Sequence, residues 1–362
     1  MMKQKLFEFY KGKKILITGH TGFKGSWLSY WLYLLGADVY GYALESETDS
    51  LFRKLCLDDL VKSHIYDIRD KNEISEYVND IKPDMVFHLA AQALVRRSYD
   101  EPHLTFETNV IGSLNLLEAI RKCDSVRSLV YITSDKCYWN SEWVWGYREI
   151  DPLGGADPYS ASKASAEHVF KSYYLSYFKD RKSFACGSTR AGNVIGGGDY
   201  SENRIVPDII KALEKNESII LRHPHATRPW QHVLDPLNGY ITLGKHLYEN
   251  PHAYNGEAWN FGPTNQSIKT VLQLTETLVE NWSDFDKAKI ETDQSKNQPY
   301  ESTLLHLSID KAQTLLGWSP SYQFYDAVSQ TGDWYKKVLM GEDASRTTEA
   351  QIKSFMDFSN AK

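Results

Sequence analysis

The segment Lys14-Ile15-Leu16-Ile17-Thr18-Gly19-His20-Thr21-Gly22-Phe23-Lys24-Gly25 constrains the fold more than any other part of the 362-residue chain. An apolar run short enough to be a buried strand ends in glycines at positions 19, 22 and 25. A helical pattern follows at once, with Trp27, Leu28, Trp31, Leu34 and Leu35 on one face. Strand, glycine turn and amphipathic helix in that order predict the opening of a βαβ unit, and hence a parallel sheet. In such a unit Gly19 makes the tight turn, Gly22 lets the backbone approach a pyrophosphate, and Gly25 lets the helix lie close on the sheet. The helix amino terminus then turns free N–H groups toward the anion. A glycine turn without function is the plain alternative for the bare spacing, and the flanking strand and helix weigh against it.

The rhythm continues through the first half. Further strands are expected at Asp38 to Tyr42, Ser63 to Tyr66, Met85 to Leu89, Ser128 to Thr133 and Phe184 to Ser188, with helices between them, one from Asn109 to Ile120. Beyond about Gly196 the pattern loosens into helices near Val206 to Leu213, Leu237 to Leu247, Ile268 to Leu278, Asp310 to Leu316 and Tyr325 to Leu339. Arginines, prolines and histidines collect at the turns of this half, the composition of a substrate-capturing lobe. We therefore expect one sheet-forming lobe over residues 1–195, completed by a strand and helix from about 235–262, and a second lobe over 196–362. The last 20 or so residues are polar and expected to be peripheral.

Composition removes several functions. No run approaches the ~20 apolar residues of a membrane span, and the first residues lack a signal-peptide core, so a cytoplasmic protein is expected. Cys56, Cys123, Cys137 and Cys186 lack metal-type spacing and read as buried thiols. A net charge of −6 argues against a nucleic-acid partner held by general electrostatics, so anion recognition must be local.

Glu45, just past the second strand, suits the ribose diol of NAD, and no arginine or lysine lies between Lys24 and Arg53 to take the extra phosphate of NADP. Asp67, before Ile68, is placed to bond an adenine or simply to cap a turn. Lys24 opposes the helix dipole, which a bound anion would offset. His20 is expected to touch the pyrophosphate or to crowd it, with surface exposure as the bland alternative.

Asp157-Pro158-Tyr159-Ser160-Ala161-Ser162-Lys163 reads as a helix start, Asp157 the cap and Pro158 the first residue. Tyr159 and Lys163, four apart, share a face. A nearby ammonium favours phenolate, so the pair can accept a proton from a substrate hydroxyl while hydride leaves for NAD. Ser134, Asp135 and Lys136 follow a buried strand and fall at the carboxyl edge of the sheet, an acid and an amine side by side. A polar strand-end turn is the bland reading of the same residues.

These residues resemble a known group. TGxxGFxGS, HLAAQ, SDK, YSASK and RAGNVIGG are similar to the extended short-chain dehydrogenase/reductase superfamily in its sugar-nucleotide branch. Over residues 10 to 335, with SDKCY and WVWGYRE the most specific parts, the chain resembles the CDP-glucose 4,6-dehydratases of that branch. The resemblance implies a Rossmann-type, doubly wound α/β fold with a smaller C-terminal substrate lobe, NAD as cofactor, CDP-D-glucose as substrate, and a homodimer or higher homo-oligomer. It places Gly19, His20, Gly22, Phe23, Lys24, Gly25, Asp67, Ile68, Leu89, Ala90, Ala91, Tyr159 and Lys163 along NAD. It implies that Tyr159 deprotonates the 4-hydroxyl, that Lys163 lowers the tyrosine pKa, and that Ser134 bonds the same oxygen. Asp135 would protonate the departing hydroxyl. Lys136 stands where related enzymes carry glutamate, and is expected to take the C5 proton or to steady the enolate. Asn193, Arg204 and Arg228 would hold the diphosphate, Pro207 would wall the nucleoside pocket, and Tyr300 would contact phosphate. A nucleotide-sugar 4-epimerase or reductase would share the glycines, Tyr159 and Lys163, but has no need of Asp135 and Lys136. A non-catalytic dinucleotide-sensing regulator typically lacks the tyrosine or the lysine.

Overall fold

The computed structural model describes residues 2–282, 289–293 and 304–361. Seven strands form one sheet: Lys14–Thr18 (β1), Asp38–Ala43 (β2), Lys62–Ile65 (β3), Met85–His88 (β4), Ser128–Ile132 (β5), Ala185–Arg190 (β6) and Glu257–Asn260 (β7). Their spatial order is β7-β6-β5-β4-β1-β2-β3, with every pairing parallel. Strands β4 and β5 are buried at every position, as strands covered on both faces must be.

Alternation along the strands sorts their side chains between two hydrophobic clusters. Ile15, Ile17, Met85 and Phe87 join one cluster, while Leu16 and Val86 join the other. The first is covered by helices Phe23–Leu34 and Leu234–Glu249, the second by helices Lys71–Ile81, Ser113–Lys122 and Pro158–Tyr173. The strand order reverses between β1 and β4, so the carboxyl ends of the central strands flank a crevice. The strand expected to join the sheet from the second half is β7, whose Glu257 pairs with Gly187 of β6.

Four expectations change. The segment before Ser113 is a π-helical turn, Glu107–Gly112, in which Asn109 turns inward to bond Gln92 and Ser162. Ile268–Thr270 is a strand antiparallel to Thr227–Pro229, so the following helix starts at Val271, with Thr270 and Gln273 forming a capping box. The polar C-terminal residues form the helix Ala344–Ala361, which buries Ile352, Phe355 and Met356 against the body of the protein. Cys56 is exposed, in a turn with φ of 51°, whereas the other three cysteines are buried.

Candidate active site

A cleft of about 1420 Å³ opens at the carboxyl edge of β1, β4, β5 and β6. That exceeds the roughly 300–1,000 Å³ of a typical single-ligand pocket, leaving room for a dinucleotide and a second ligand. Local sequence explains its floor. At Gly19, φ is +75°, and a Cβ there would lie 2.7 Å from the Ala90 nitrogen; one on Gly25 would lie 2.0 Å from the Gly19 carbonyl oxygen. Strand turn, helix and the β4 loop can pack this tightly only without side chains. Gly22 is the helix N-cap, and no side chain among the described residues caps the first N–H groups. They face the cleft as an anion-binding terminus.

Helix Pro158–Tyr173 starts as the sequence predicts: Asp157 accepts hydrogen bonds from the Ser160 N–H at 2.9 Å and the Ser160 hydroxyl at 2.6 Å. It delivers Tyr159 and Lys163 into the cleft wall, both nearly buried. Ser134 caps a one-turn helix, Asp135–Cys137, at the end of β5. Its Oγ accepts from the Lys136 N–H at 3.2 Å and donates to Asp135 Oδ1 at 2.9 Å. Asn193, in the left-handed region at φ 51°, donates its amide to Asp135 Oδ2 at 3.3 Å. Gly192 permits this approach: a Cβ on it would lie 1.9 Å from the Asp135 carboxylate.

Burial pushes the Tyr159 phenol up to about 12, against a hydrogen bond with Ser134 and the charge of Arg204, which pull it down. The sequence led us to expect Lys163 in that second role. Lys163 is itself pushed down to about 8 by burial, with Cys137 and Glu167 drawing it back up. Lys24 reaches the same centre. Burial, Arg204 and Lys163 lower it to about 8, while Asp135 and Asp199 oppose them. Arg204 is held by Asp199 at 2.8 Å, and Arg228 is buried with Nη1 on the Thr227 carbonyl at 2.8 Å.

The cleft thus gathers Ser134, Asp135, Lys136, Tyr159, Lys163, Asn193, Arg204, Pro207 and Arg228 with Gly19, Gly22, Phe23, Lys24, Gly25, Asp67, Ile68, Leu89, Ala90 and Ala91. Three expected residues stand apart. Tyr300 lies outside the described residues. The His20 ring does not line the cleft: it is fully buried, bonded to the Ser63 hydroxyl at 2.6 Å, edge-on to Phe52, and pressed against the bare Cα of Gly41. Its side chain therefore fills space between β1, β2 and β3 rather than touching or crowding an anion. The Asp67 carboxylate lines the cleft and accepts from the Arg69 side chain at 2.6 Å, which holds it below the usual carboxylate range, and from the Arg69 N–H at 2.9 Å, the bond of a turn aspartate. Sequence reasoning assigned no part to Gly192, within the RAGNVIGG motif, or to Asp199, two residues beyond it.

Fold and site together define a doubly wound α/β protein of the short-chain dehydrogenase/reductase type. The sequence model of GDP-mannose 4,6 dehydratase matches residues 16–331, and the chain belongs to that family. It is 44% identical over 353 residues, 96% of this chain and 97% of the relative, to CDP-glucose 4,6-dehydratase of Salmonella typhimurium strain LT2. Among solved structures it is similar to UDP-glucose 4-epimerase of Thermotoga maritima, with a TM-score of 0.76 and 24% identity over 90% of this chain and 99% of that one. The dTDP-glucose 4,6-dehydratase of Bacillus anthracis in complex with NAD gives a TM-score of 0.75 and 21% identity over 91% of this chain and 98% of that one. Among the described residues no helix is long and apolar enough to cross a membrane.

Proposed function

We propose that the protein converts CDP-D-glucose to CDP-4-dehydro-6-deoxy-D-glucose and water, with NAD recycled within each turnover. The observation that carries this reading is the meeting of two sets of groups in one cleft. Tyr159 and Lys163 form an oxidation pair, and Asp135 and Lys136 an added acid and amine that a simple epimerase or reductase would not need. The name of the 44% identical relative supports both the reaction and the CDP sugar.

The glycine turn fits a dinucleotide pyrophosphate, because Gly22 presents an open face beside uncapped helix N–H groups, and Glu45 lines the cleft beyond β2. When bound, NAD would accept hydride from C4 of the sugar and later return it to C6. Tyr159 takes the 4-hydroxyl proton, and Ser134 and Arg204 stabilise the phenolate that it needs. The resulting ketone acidifies C5. Lys136 takes the C5 proton or steadies the enolate, and Asp135 protonates the C6 hydroxyl as it departs as water. C5 regains a proton when C6 receives hydride, so the sum is substrate minus one water. Asn193 orients Asp135, and Arg204 and Arg228 take the diphosphate, for which the planar guanidinium fork is suited.

Incubation with CDP-, dTDP-, GDP- and UDP-glucose separately, read by mass, tests the reading. The expected result is a one-water loss with CDP-glucose and no net NAD reduction; no loss with any of the four refutes it. Lys136→Ala is expected to suppress solvent deuterium entry at C5, and undiminished exchange would remove Lys136 from the step. The reading includes a cytoplasmic location and a homodimer or higher homo-oligomer, and exposed Ile111, Leu175 and Tyr177 on the helical surface support the association. Light scattering on the purified protein tests the association, and a monomer mass rejects it.

A further inference from the structure

Behind the cleft wall lies a second set of charged groups that the chemistry above does not use. Glu167 sits one turn beyond Lys163, so Tyr159, Lys163 and Glu167 recur every four residues along one helix face. Its carboxylate accepts hydrogen bonds from Thr133 Oγ1 at 2.5 Å, Ser188 Oγ at 2.9 Å, Arg190 Nε at 3.1 Å and Arg190 Nη2 at 2.8 Å. The Glu167 and Arg190 side chains are only 3% and 4% exposed. Arg190 Nη1 donates to the Tyr138 hydroxyl at 2.7 Å and the Glu149 carbonyl at 3.1 Å, and the guanidinium lies 4.8 Å from the centre of the Tyr138 ring. Tyr138 in turn donates to Asn260 Oδ1 at 2.8 Å, in β7.

The placement of these partners matters. Thr133 immediately precedes Ser134, and Tyr138 immediately follows the Asp135–Cys137 turn. Both ends of the segment bearing the acid and the amine are therefore fastened to one buried ion pair, and that pair's carboxylate belongs to the helix bearing Tyr159 and Lys163. An apolar pair of equal volume would avoid the desolvation that two buried charges incur, so stability alone does not account for this hub. A directional hydrogen-bond network instead sets the offset between two elements, which apolar packing does less sharply.

We propose that Glu167, Arg190 and Tyr138 are positioning residues that hold the Asp135–Lys136 turn in register with the Tyr159–Lys163 helix, so that elimination follows oxidation without release of the ketone. The proposal rests on the dehydration reading. Oxidation at C4 moves one proton to Tyr159 and one hydride to NAD, and draws from the turn segment only on the Ser134 hydroxyl, which bonds the tyrosine of the helix. Loss of the C5 proton and of the C6 hydroxyl as water needs the turn at a fixed distance from that helix. Loosening the hub therefore slows the second step far more than the first.

The test uses Tyr138→Phe, which keeps the ring and the ion pair but removes the hydroxyl link, and Thr133→Val as an independent variant of the same hub. In single turnovers with CDP-glucose and NAD, nicotinamide reduction should stay within about twofold of the parent while one-water-loss product forms about tenfold more slowly, a loss in keeping with a small misplacement. A 4-keto sugar retaining its C6 hydroxyl should then be trapped by borodeuteride. Without added NAD, amide hydrogen exchange should quicken at residues 134–138 and stay unchanged along Pro158–Tyr173. Equal slowing of both steps, or no change in either, overturns the proposal, as does exchange that quickens throughout the sheet. If the parent protein itself gives no water loss with any nucleotide sugar, it is the functional reading that has failed.

Discussion

Replacing Lys163 with methionine should trade catalysis for stability. Lys163 is 6% exposed, and burial pushes its ammonium from the ordinary 10.5 down to about 8. The folded chain thus holds the charged form less willingly than the unfolded chain does. At pH 7 both states carry the proton and the whole penalty is present; at about 1.4 kcal/mol per pH unit, the depression amounts to about 3 kcal/mol. Between pH 8 and 10.5 the folded chain has released a proton that the unfolded chain still binds, so native stability rises with pH there and the penalty fades. Methionine keeps an unbranched apolar stem without the charge. The variant should therefore be roughly 2–3 kcal/mol more stable than its parent at pH 7, with a narrower gap at pH 9.5. Tyr159, pushed up to about 12, acts with the opposite sign only above pH 10, outside this window. Urea unfolding followed by tryptophan fluorescence, without added NAD, measures the gap, while dehydration falls to background. A variant less stable than its parent at pH 7, or a gap that does not change between pH 7 and 9.5, refutes the reasoning.

Gly192→Ala would drive a methyl into the Asp135 carboxylate, and should cut product formation about a hundredfold while leaving the far-ultraviolet circular dichroism unchanged; a fully active variant contradicts the assigned packing. Burial lowers His20 to about 4, and His88 and His232 to about 3. Unfolding should therefore take up protons as pH falls below 6.5, and stability should drop steadily from pH 6.5 to 4.5 in urea titrations; a flat profile would count against neutral buried imidazoles. Removing residues 344–362 uncovers the sites filled by Ile352, Phe355 and Met356, at roughly 2 kcal/mol each. The truncated chain should unfold at markedly lower urea, and an unshifted midpoint would mean that this helix is dispensable.

Much of the molecule was legible because its signals are local. Short, largely apolar runs specified β1, β2, β4 and β5. A cap and a proline specified the start of the Tyr159 helix, and glycines at fixed offsets specified the cleft floor. Such patterns depend on dihedral preference and on the period of a helix or strand, both properties of neighbouring residues. They also indicated that Ser134, Asp135 and Lys136 follow a strand end and that Tyr159 opens a helix, as the fold shows.

Other features depended on partners far along the chain. The opening histidine looked like part of an anion site, yet its ring is taken up by Ser63, Phe52 and Gly41 from neighbouring elements. The C-terminal helix reads as polar, but a few apolar residues at helical spacing find a surface on the protein that no local pattern announces. Nothing local in the sequence singles out Glu167 or Arg190; only the folded chain turns them inward and pairs them. Sequence by itself determined which elements form and which residues they carry to the sheet edge, because those outcomes follow from short-range geometry. Tertiary structure alone decided which charges are buried, which pair with which, and how far tyrosine and lysine move from their solution acidity, because burial and pairing depend on the three-dimensional neighbourhood that the whole chain creates.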